Sequence, residues 1–435
     1  MLQQILFLST LVVATYFIRR RINFIAGAIR LGKKTVVDSD PRRIRNLLLV
    51  AFGQRKMFVK PIAAFMHLLI YAGFILINIE VLEFIIDGLL GTHRVFAPVL
   101  GQAYPILMNM FEWLALGVLI SCFVFLARRH LIKLPRLNSP ELTRWPRMDA
   151  NLILVSEIIL MLAIFTMNAA DQILQGRDSH YTASGSLVLS SLLIPFLENF
   201  STTSLVVIER SAWWFHILGI LGFAVYVTYS KHLHIFLAFP NTYFGKLEPK
   251  GQMTGMPVVT AEVKSMLGLE PVVAQPPSEP GRFGAKDVID LSQQQILSAF
   301  ACTECGRCTA ECPANLTGKK LSPRKIMMDV RDRAEEVQQG KSIGSTAYET
   351  KSLLGDYITK EEINACTSCN ACVEACPVLI NPLDIILELR RYVSMEESGA
   401  PASWNAMYQN LETSFSPWKF SPTDRFNWNE NQNKS

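Results

Sequence analysis

Five stretches of this chain are apolar for long enough to cross a bilayer, at about 2–18, 62–86, 104–127, 151–170 and 205–230. Most approach the ~20 residues that span ~30 Å of hydrocarbon, and the short first one needs support from its neighbours. A sixth apolar stretch, 186–197, is shorter and contains Pro195, which predicts an interfacial or re-entrant piece. Beyond residue 240 the pattern changes. Residues 240–291 are rich in Pro and Gly, and PVVAQPPSEPGRFG at 271–284 excludes a helix or an inner strand. Helix signals then return. Ser292 and Gln295 form a capping box ahead of a helix at 293–300, and Thr359 with Glu362 forms another. Ser322 followed by Pro323 starts an amphipathic helix to about 338, and Asn381 with Pro382 starts PLDIILELRRYVSM. The expected fold is all-α. Residues 1–240 form a five-helix transmembrane bundle, 241–291 a linker, 292–398 a soluble helical domain, and 399–435 a C-terminal extension with a disordered end. Trp418, Phe420 and Trp428 in that extension are expected to pack over the soluble core.

Charge adds an orientation. Charged residues are 18% of the chain, low for a soluble protein. Twelve Lys or Arg lie between the first two spans, and Arg128, Arg129, Lys133, Arg136, Arg144 and Arg147 lie between the third and fourth. The opposite loops hold one basic residue each, Arg94 and Arg177. Basic residues collect on the cytoplasmic side, so the N-terminus is expected outside and the soluble domain in the cytoplasm of a bacterial inner membrane. This distribution is a topology signal, not a nucleic-acid footprint. Residues 1–18 lack a positive start and a small-residue cleavage site, so they are expected to stay as a helix. Part of the long inner loop, 42–57, mixes apolar and basic residues and is either surface-lying or solvated.

Eight of the nine cysteines form two near-copies of one motif, ACTECGRCTAECPA and ACTSCNACVEACPV, each C-x2-C-x2-C-x3-C-P. That spacing holds cubane 4Fe–4S clusters, with the fourth cysteine of each motif crossing to the other cluster. The expected sets are Cys302, Cys305, Cys308 and Cys376 for one cluster, and Cys366, Cys369, Cys372 and Cys312 for the second. Zinc needs only four thiolates and has no use for the crossed pattern. Thiolates of this kind also require a reducing compartment, which agrees with the orientation from charge. Cys122, alone in a span, reads as core.

Four of the seven histidines lie in or beside the spans. His67 is near the inner end of the second, His216 toward the outer end of the fifth, and His232 and His234 follow the fifth. Two imidazoles from neighbouring helices can clamp a haem iron, which makes His67 and His234 an axial pair; the alternative is a histidine hydrogen-bonded across helices. His216 has no evident histidine partner unless His93 or His180 reaches it, and it can instead serve a quinone headgroup. Glu80, Glu83, Glu112 and Glu157 lie in the spans, where carboxylates suit proton exchange or simple pairing. Glu112 and Glu157 are the carboxylate candidates for quinone and proton chemistry.

The membrane half resembles the cytochrome b subunit of respiratory nitrate reductase and its relatives in heterodisulfide reductases. The resemblance rests on AFMHLLIYAGF, with His67, and on WWFHILGILGFAVYVTYSKHLHIF, with His216 and His234. It implies a haem b held by His67 and His234. Two-haem relatives carry a further histidine where this chain has Ile77, so a second haem lacks one ligand while His216 remains. The soluble half resembles the electron-transfer subunit of heterodisulfide reductase, and SPWKFSPTDRFNW is similar to a segment after the clusters in that family. The resemblance implies a quinone-linked electron-transfer subunit, with menaquinone as a candidate. Its partner is a cysteine-rich CCG-domain protein or an electron-transferring flavoprotein, because this chain has no CCG cysteines of its own. The alternative is an iron–sulfur and haem anchor that relays electrons within a larger complex and has no quinone site. A tethered redox sensor needs no paired membrane histidines, and an ion pump needs more charge within the spans.

Overall fold

The computed structural model describes residues 1–35, 37–269 and 282–432. Among these the chain is all-α, and its extended pairings are isolated bridges such as Lys33 with Ser292. Five helices are long and apolar enough to cross a membrane: α1 (Leu2–Ile29), α2 (Pro61–Leu90), α3 (Ala103–His130), α4 (Trp145–Leu174) and α5 (Thr202–Val227). At 1.5 Å per residue each is roughly 40 Å long, so each projects beyond a ~30 Å hydrocarbon layer.

The largest departure from the sequence reading is α1. The basic triplet Arg19–Arg21 does not end it; the helix runs on to Ile29. The reason is tertiary. Arg21 pairs with Glu335 at 2.7 Å, and Lys33 exchanges backbone hydrogen bonds with Leu291 and Gln293. Gly32 makes that approach possible: a Cβ there would stand 2.8 Å from the backbone of Ser292 and Gln293. At the other extreme α5 stops at Val227, short of the expected 230. Asp149 collects the Tyr226 hydroxyl, the Ser230 hydroxyl (2.6 Å) and the Lys231 N–H (3.1 Å), which turns the chain. A 3-10 turn over Lys231–Leu233 leads into α6 (His234–Tyr243). His216 and His234 therefore do not share one straight helix; His234 begins a new one.

α2 packs on α1 and α3, while α4 packs on α3 and α5. The 186–197 stretch forms two short turns, Ser190–Leu193 and Ile194–Leu197, laid on α4. In the inner loop, Phe52 packs on Phe239 at 4.7 Å and Arg43 donates to the Tyr243 and Gly245 carbonyls, while Ile44, Leu48 and Val59 stay exposed.

The cysteine-rich domain is built on α7 (Gln293–Phe300), α8 (Pro323–Ile343) and α9 (Pro382–Met395). The capping boxes at Ser292–Gln295 and Thr359–Glu362 are both formed. α8 outruns its expected end and stops at Gly344. One apolar core joins this domain to the bundle: Ile25, Ala28, Val227 and Leu233 belong to the same cluster as Leu291, Ile296, Ile326, Val330, Ile386 and Leu389. The domain is thus seated on the membrane helices. Most of the Pro-rich 271–284 stretch lies outside the described residues, and a helix occupies Pro257–Met266. Trp418, Phe420 and Trp428 are exposed, contrary to the expected packing. The chain is helical over Asn427–Gln432, so of the end expected to be disordered only 433–435 lie outside the described residues.

Candidate electron-transfer site

The two cysteine motifs adopt matching loops. The second residue after the first cysteine has positive φ in each, Glu304 (55°) and Ser368 (56°), and so does the fourth, Gly306 (71°) and Asn370 (62°). This curl turns the Ser368 N–H onto Cys366 Sγ at 3.4 Å, and beyond the second motif, after Leu379 (φ 62°), Ile380 N–H donates to Cys376 Sγ at 3.3 Å. Cys308 lies in electrostatic reach of Cys302, Cys305 and Cys376 and, more weakly, of Cys372, while Cys372 lies in reach of Cys366, Cys312 and Cys369. The fourth cysteine of each motif therefore stands with the first three of the other. A cavity walled by Cys312, Cys366, Cys369 and Cys372 and by Leu321, Pro323, Leu383 and Ile386 marks the second set. Burial pushes Cys302 and Cys372 up to about 12 and Cys376 up to about 11. Such thiols ionise only when a metal displaces the proton. Among the described residues no three His, Cys, Asp or Glu side chains converge as a single ion requires. A cubane presents four irons at separate corners and takes one thiolate at each. Four thiols around an apolar-walled cavity fit it.

Beside the first set, the rings of His67 on α2 and His234 on α6 lie with centres 6.3 Å apart and planes tilted by 44°. Imidazole nitrogen binds transition metals at about 2.0–2.1 Å, with the ring centre roughly 1.2 Å behind, so two rings on one metal stand about 6.4 Å apart. Each ring is fixed through Nδ1, His67 by the Gln54 amide oxygen at 3.0 Å and His234 by the Lys231 carbonyl at 3.2 Å. Those acceptors place hydrogen on Nδ1 and leave Nε2 free as a ligand. Burial holds His234 down to about 4, in the neutral, ligating form. The two imidazoles would hold the iron of one haem and so supply a one-electron carrier there. His232 packs edge-on against His234 with centres 5.4 Å apart.

A further contact, absent from the sequence reading, joins the histidine pair's turn to the first cysteine loop. The Lys231 ammonium pairs with Glu304, which sits between Cys302 and Cys305, and Glu304 also takes Arg331 at 2.8 Å. Burial opposes ionisation of Glu304, but Lys231 and Arg331 outweigh it and hold its pKa below the usual carboxylate value. The residue that fixes His234 thus also anchors the first cysteine loop.

The other expected residues lie apart. His216 is buried, with Nδ1 on the Leu160 carbonyl at 3.0 Å, and the ring nearest it is Phe84 at 5.7 Å. His93 does not reach it: its Nε2 lies 3.0 Å from Asp171, and its Nδ1 accepts from Thr182 N–H. His180 is exposed and bonds Asp178. Glu112 is saturated by the Ser190 hydroxyl, the Leu189 and Ser190 N–H groups and the Asn168 amide, so it staples the 186–197 stretch to the bundle. Glu157 is half-buried on α4 and lies near Cys122.

At the far end of the bundle a buried polar network surrounds Arg94. Its guanidinium meets Asn168 at 2.6 Å, Asp171 at 3.1 Å and Glu80 at 3.5 Å, and its N–H meets Asp87 at 2.8 Å. Glu83 takes the Tyr104 hydroxyl at 2.7 Å. Along α2 this lies about 24 Å from His67, counted to Glu83. The signal for it was a lone arginine in a loop between acid-bearing spans.

Comparison with known proteins agrees with the cysteine chemistry. Residues 301–380 match the family of 4Fe–4S dicluster domains. The chain is similar to a probable iron–sulfur-binding oxidoreductase, FadF, of Bacillus subtilis, at 29% identity over 98% of this chain and 60% of the relative. It is also similar to the EtfAB:quinone oxidoreductase of Syntrophomonas wolfei, at 27% identity over 90% of this chain and 54% of the relative. Its cysteine-rich part is similar to one component of the CoB–CoM heterodisulfide reductase of Methanosarcina acetivorans, at 32% identity over 26% of this chain and 56% of the relative. The chain thus spans a little over half the length of the first two relatives. No solved structure matches. The chain carries a 4Fe–4S dicluster domain on a membrane-helical part, and its relatives are iron–sulfur electron-transfer proteins.

Proposed function

We propose that this chain is a membrane electron-transfer subunit linking a cytoplasmic redox partner to the quinone pool through two 4Fe–4S clusters and one haem b. The observation that carries the reading is the position of the His67–His234 pair, 6.3 Å between ring centres, on the cysteine side of the bundle. Clusters and haem each supply one-electron chemistry. The protein's part is to fix the ligands: Gln54 and Lys231 orient the imidazoles, and the Lys231–Glu304 pair sets the first cysteine loop against them. The basic residues between the spans support a cytoplasmic dicluster domain and an outer N-terminus. The quinone, with menaquinone as the candidate, would meet the bundle near Glu157 or His216. The names of the relatives support an electron-transferring flavoprotein or a CCG-domain protein of the heterodisulfide reductase type as partner.

Iron, acid-labile sulfide and pyridine-haemochrome assays on the purified membrane protein test this reading. The expected content is about eight cluster irons and one haem per chain. A protein loaded with zinc, or one free of haem, overturns it. The rival reading, an anchor with no quinone site, draws on Glu112 being committed to structural bonds. Binding of a quinone analogue that is lost in Glu157→Gln or His216→Leu protein separates the two.

A further inference from the structure

Lys56 belongs to the membrane domain, yet its ammonium nitrogen is buried and has no hydrogen-bond partner among the described residues. It lies two residues from Gln54, which holds His67. The Lys56 carbonyl faces the guanidinium of Arg307, at 3.5 Å, and Arg307 stands between Cys305 and Cys308. The Lys56 charge lies in reach of the Cys376 thiol. A second cation from the membrane domain, Arg136, donates to the Cys305 carbonyl at 2.9 Å, and its charge lies in reach of that thiol. The carboxylate in this loop, Glu304, is already balanced by Lys231 and Arg331. A buried, unpaired ammonium is costly unless an anion faces it. A cubane with four thiolate ligands is an anion and gains a negative charge on reduction.

The second set is placed differently. Arg390 is the cation that acts on Cys366, and Cys369 is exposed to solvent. Backbone N–H groups of Glu304, Val378 and Ile380 point at sulfurs of the first set, against those of Ser368 and Val373 at the second. Net charge, hydrogen bonds to sulfur and exposure set the potential of such a cluster. Exposure favours reduction of the second set; cations and hydrogen bonds favour the first. Charges buried in the domain junction are little screened and dominate.

We infer that Lys56, supported by Arg136, is the counter-cation of the first cluster and makes it the higher-potential member of the pair. One electron then leaves the second cluster as the first accepts it. The relay is polarised from the exposed Cys369 side, where a reduced soluble partner delivers electrons, toward the His67–His234 side. This rests on the two-cluster reading above.

The test is a redox titration of the full-length protein in detergent, followed by electron paramagnetic resonance, with iron and sulfide measured on the same samples. Two one-electron transitions are expected. Lys56→Gln should lower the upper one alone, raising its oxidised-to-reduced ratio about three- to tenfold at the original midpoint, which is about 30–59 mV. Lys56→Arg should restore it. Arg136→Gln should act in the same direction, and it decides the matter if Lys56→Gln fails to load iron. A shift of the lower transition, or of neither, overturns the inference. Absence of iron and sulfide from the unsubstituted protein instead overturns the cluster reading beneath it.

Discussion

Lys231 and Glu304 form an ion pair that ties the turn after the fifth span to the first cysteine loop. Both side chains are almost wholly buried, and Lys231 also donates to the Pro146 carbonyl at 2.6 Å. Removing one partner of a buried pair leaves the other uncompensated, at a cost of roughly 3–5 kcal/mol. Lys231→Ala should therefore lower the temperature at which cluster absorbance is lost and loosen the histidine pair. A thermal melt followed at the cluster band checks this, and an unchanged melt would show the pair to be incidental.

The crossing of the fourth cysteines predicts an exchange of phenotypes. Cys376→Ala lies in the second motif but should remove the cluster held by Cys302, Cys305 and Cys308. Cys312→Ala should remove the cluster held by Cys366, Cys369 and Cys372. Each variant should lose about half its cluster iron. If Lys56 serves the first cluster, the Cys376→Ala protein should lack the transition that Lys56→Gln shifts, while the Cys312→Ala protein keeps it. The reverse pattern would mean that each motif keeps its own fourth cysteine.

At the far end of the bundle Arg94 is the buried cation among Glu80, Asp87 and Asp171. Arg94→Met should leave these carboxylates without their counter-charge, destabilising the bundle by roughly 3–5 kcal/mol. The detergent-solubilised variant should melt lower while retaining its cluster spectrum until the melt.

The dicluster domain carries an acid-sensitive knot. Burial opposes ionisation of Glu336, but Lys351, the Tyr357 hydroxyl and Arg333 together hold it down to about 2, from 4.5. A carboxyl with a lowered folded-state pKa contributes stability above pH 4.5, and that contribution is lost as pH falls toward 2. After discounting for solvent screening the contribution is roughly 1–2 kcal/mol. Glu336→Gln should flatten the pH dependence of stability in this window. A Gln variant with the same acid profile would place the dependence elsewhere.

The features that proved legible in the sequence were those written in local spacing. Span positions followed from apolar run length, and the motif repeat at Cys302 and Cys366 announced itself without tertiary information. His67 and His234 stood out because imidazoles are rare in apolar surroundings. What escaped was carried by contacts between distant residues. Arg19–Arg21 looked like the end of a span until Glu335, more than three hundred residues on, accounted for Arg21. Lys56 and Lys231 were indistinguishable from the basic residues that set topology. Glu112 looked reactive because nothing local reveals that the Leu189 and Ser190 backbone saturates it. The tail aromatics read as core by composition, but Trp418, Phe420 and Trp428 are exposed.

In the proposed route, electrons from thiolate-held iron reach quinone by way of His67 and His234. This route is tested most directly by reducing the purified full-length protein anaerobically, adding a menaquinone analogue and following the haem absorbance by stopped flow. Electron flow by this route requires rapid reoxidation of the haem band in the unsubstituted protein. It also requires that no haem band appear in His67→Ala or His234→Ala protein that still carries both clusters. A haem band retained in either variant, or a reduced band that persists after quinone is added, would contradict it.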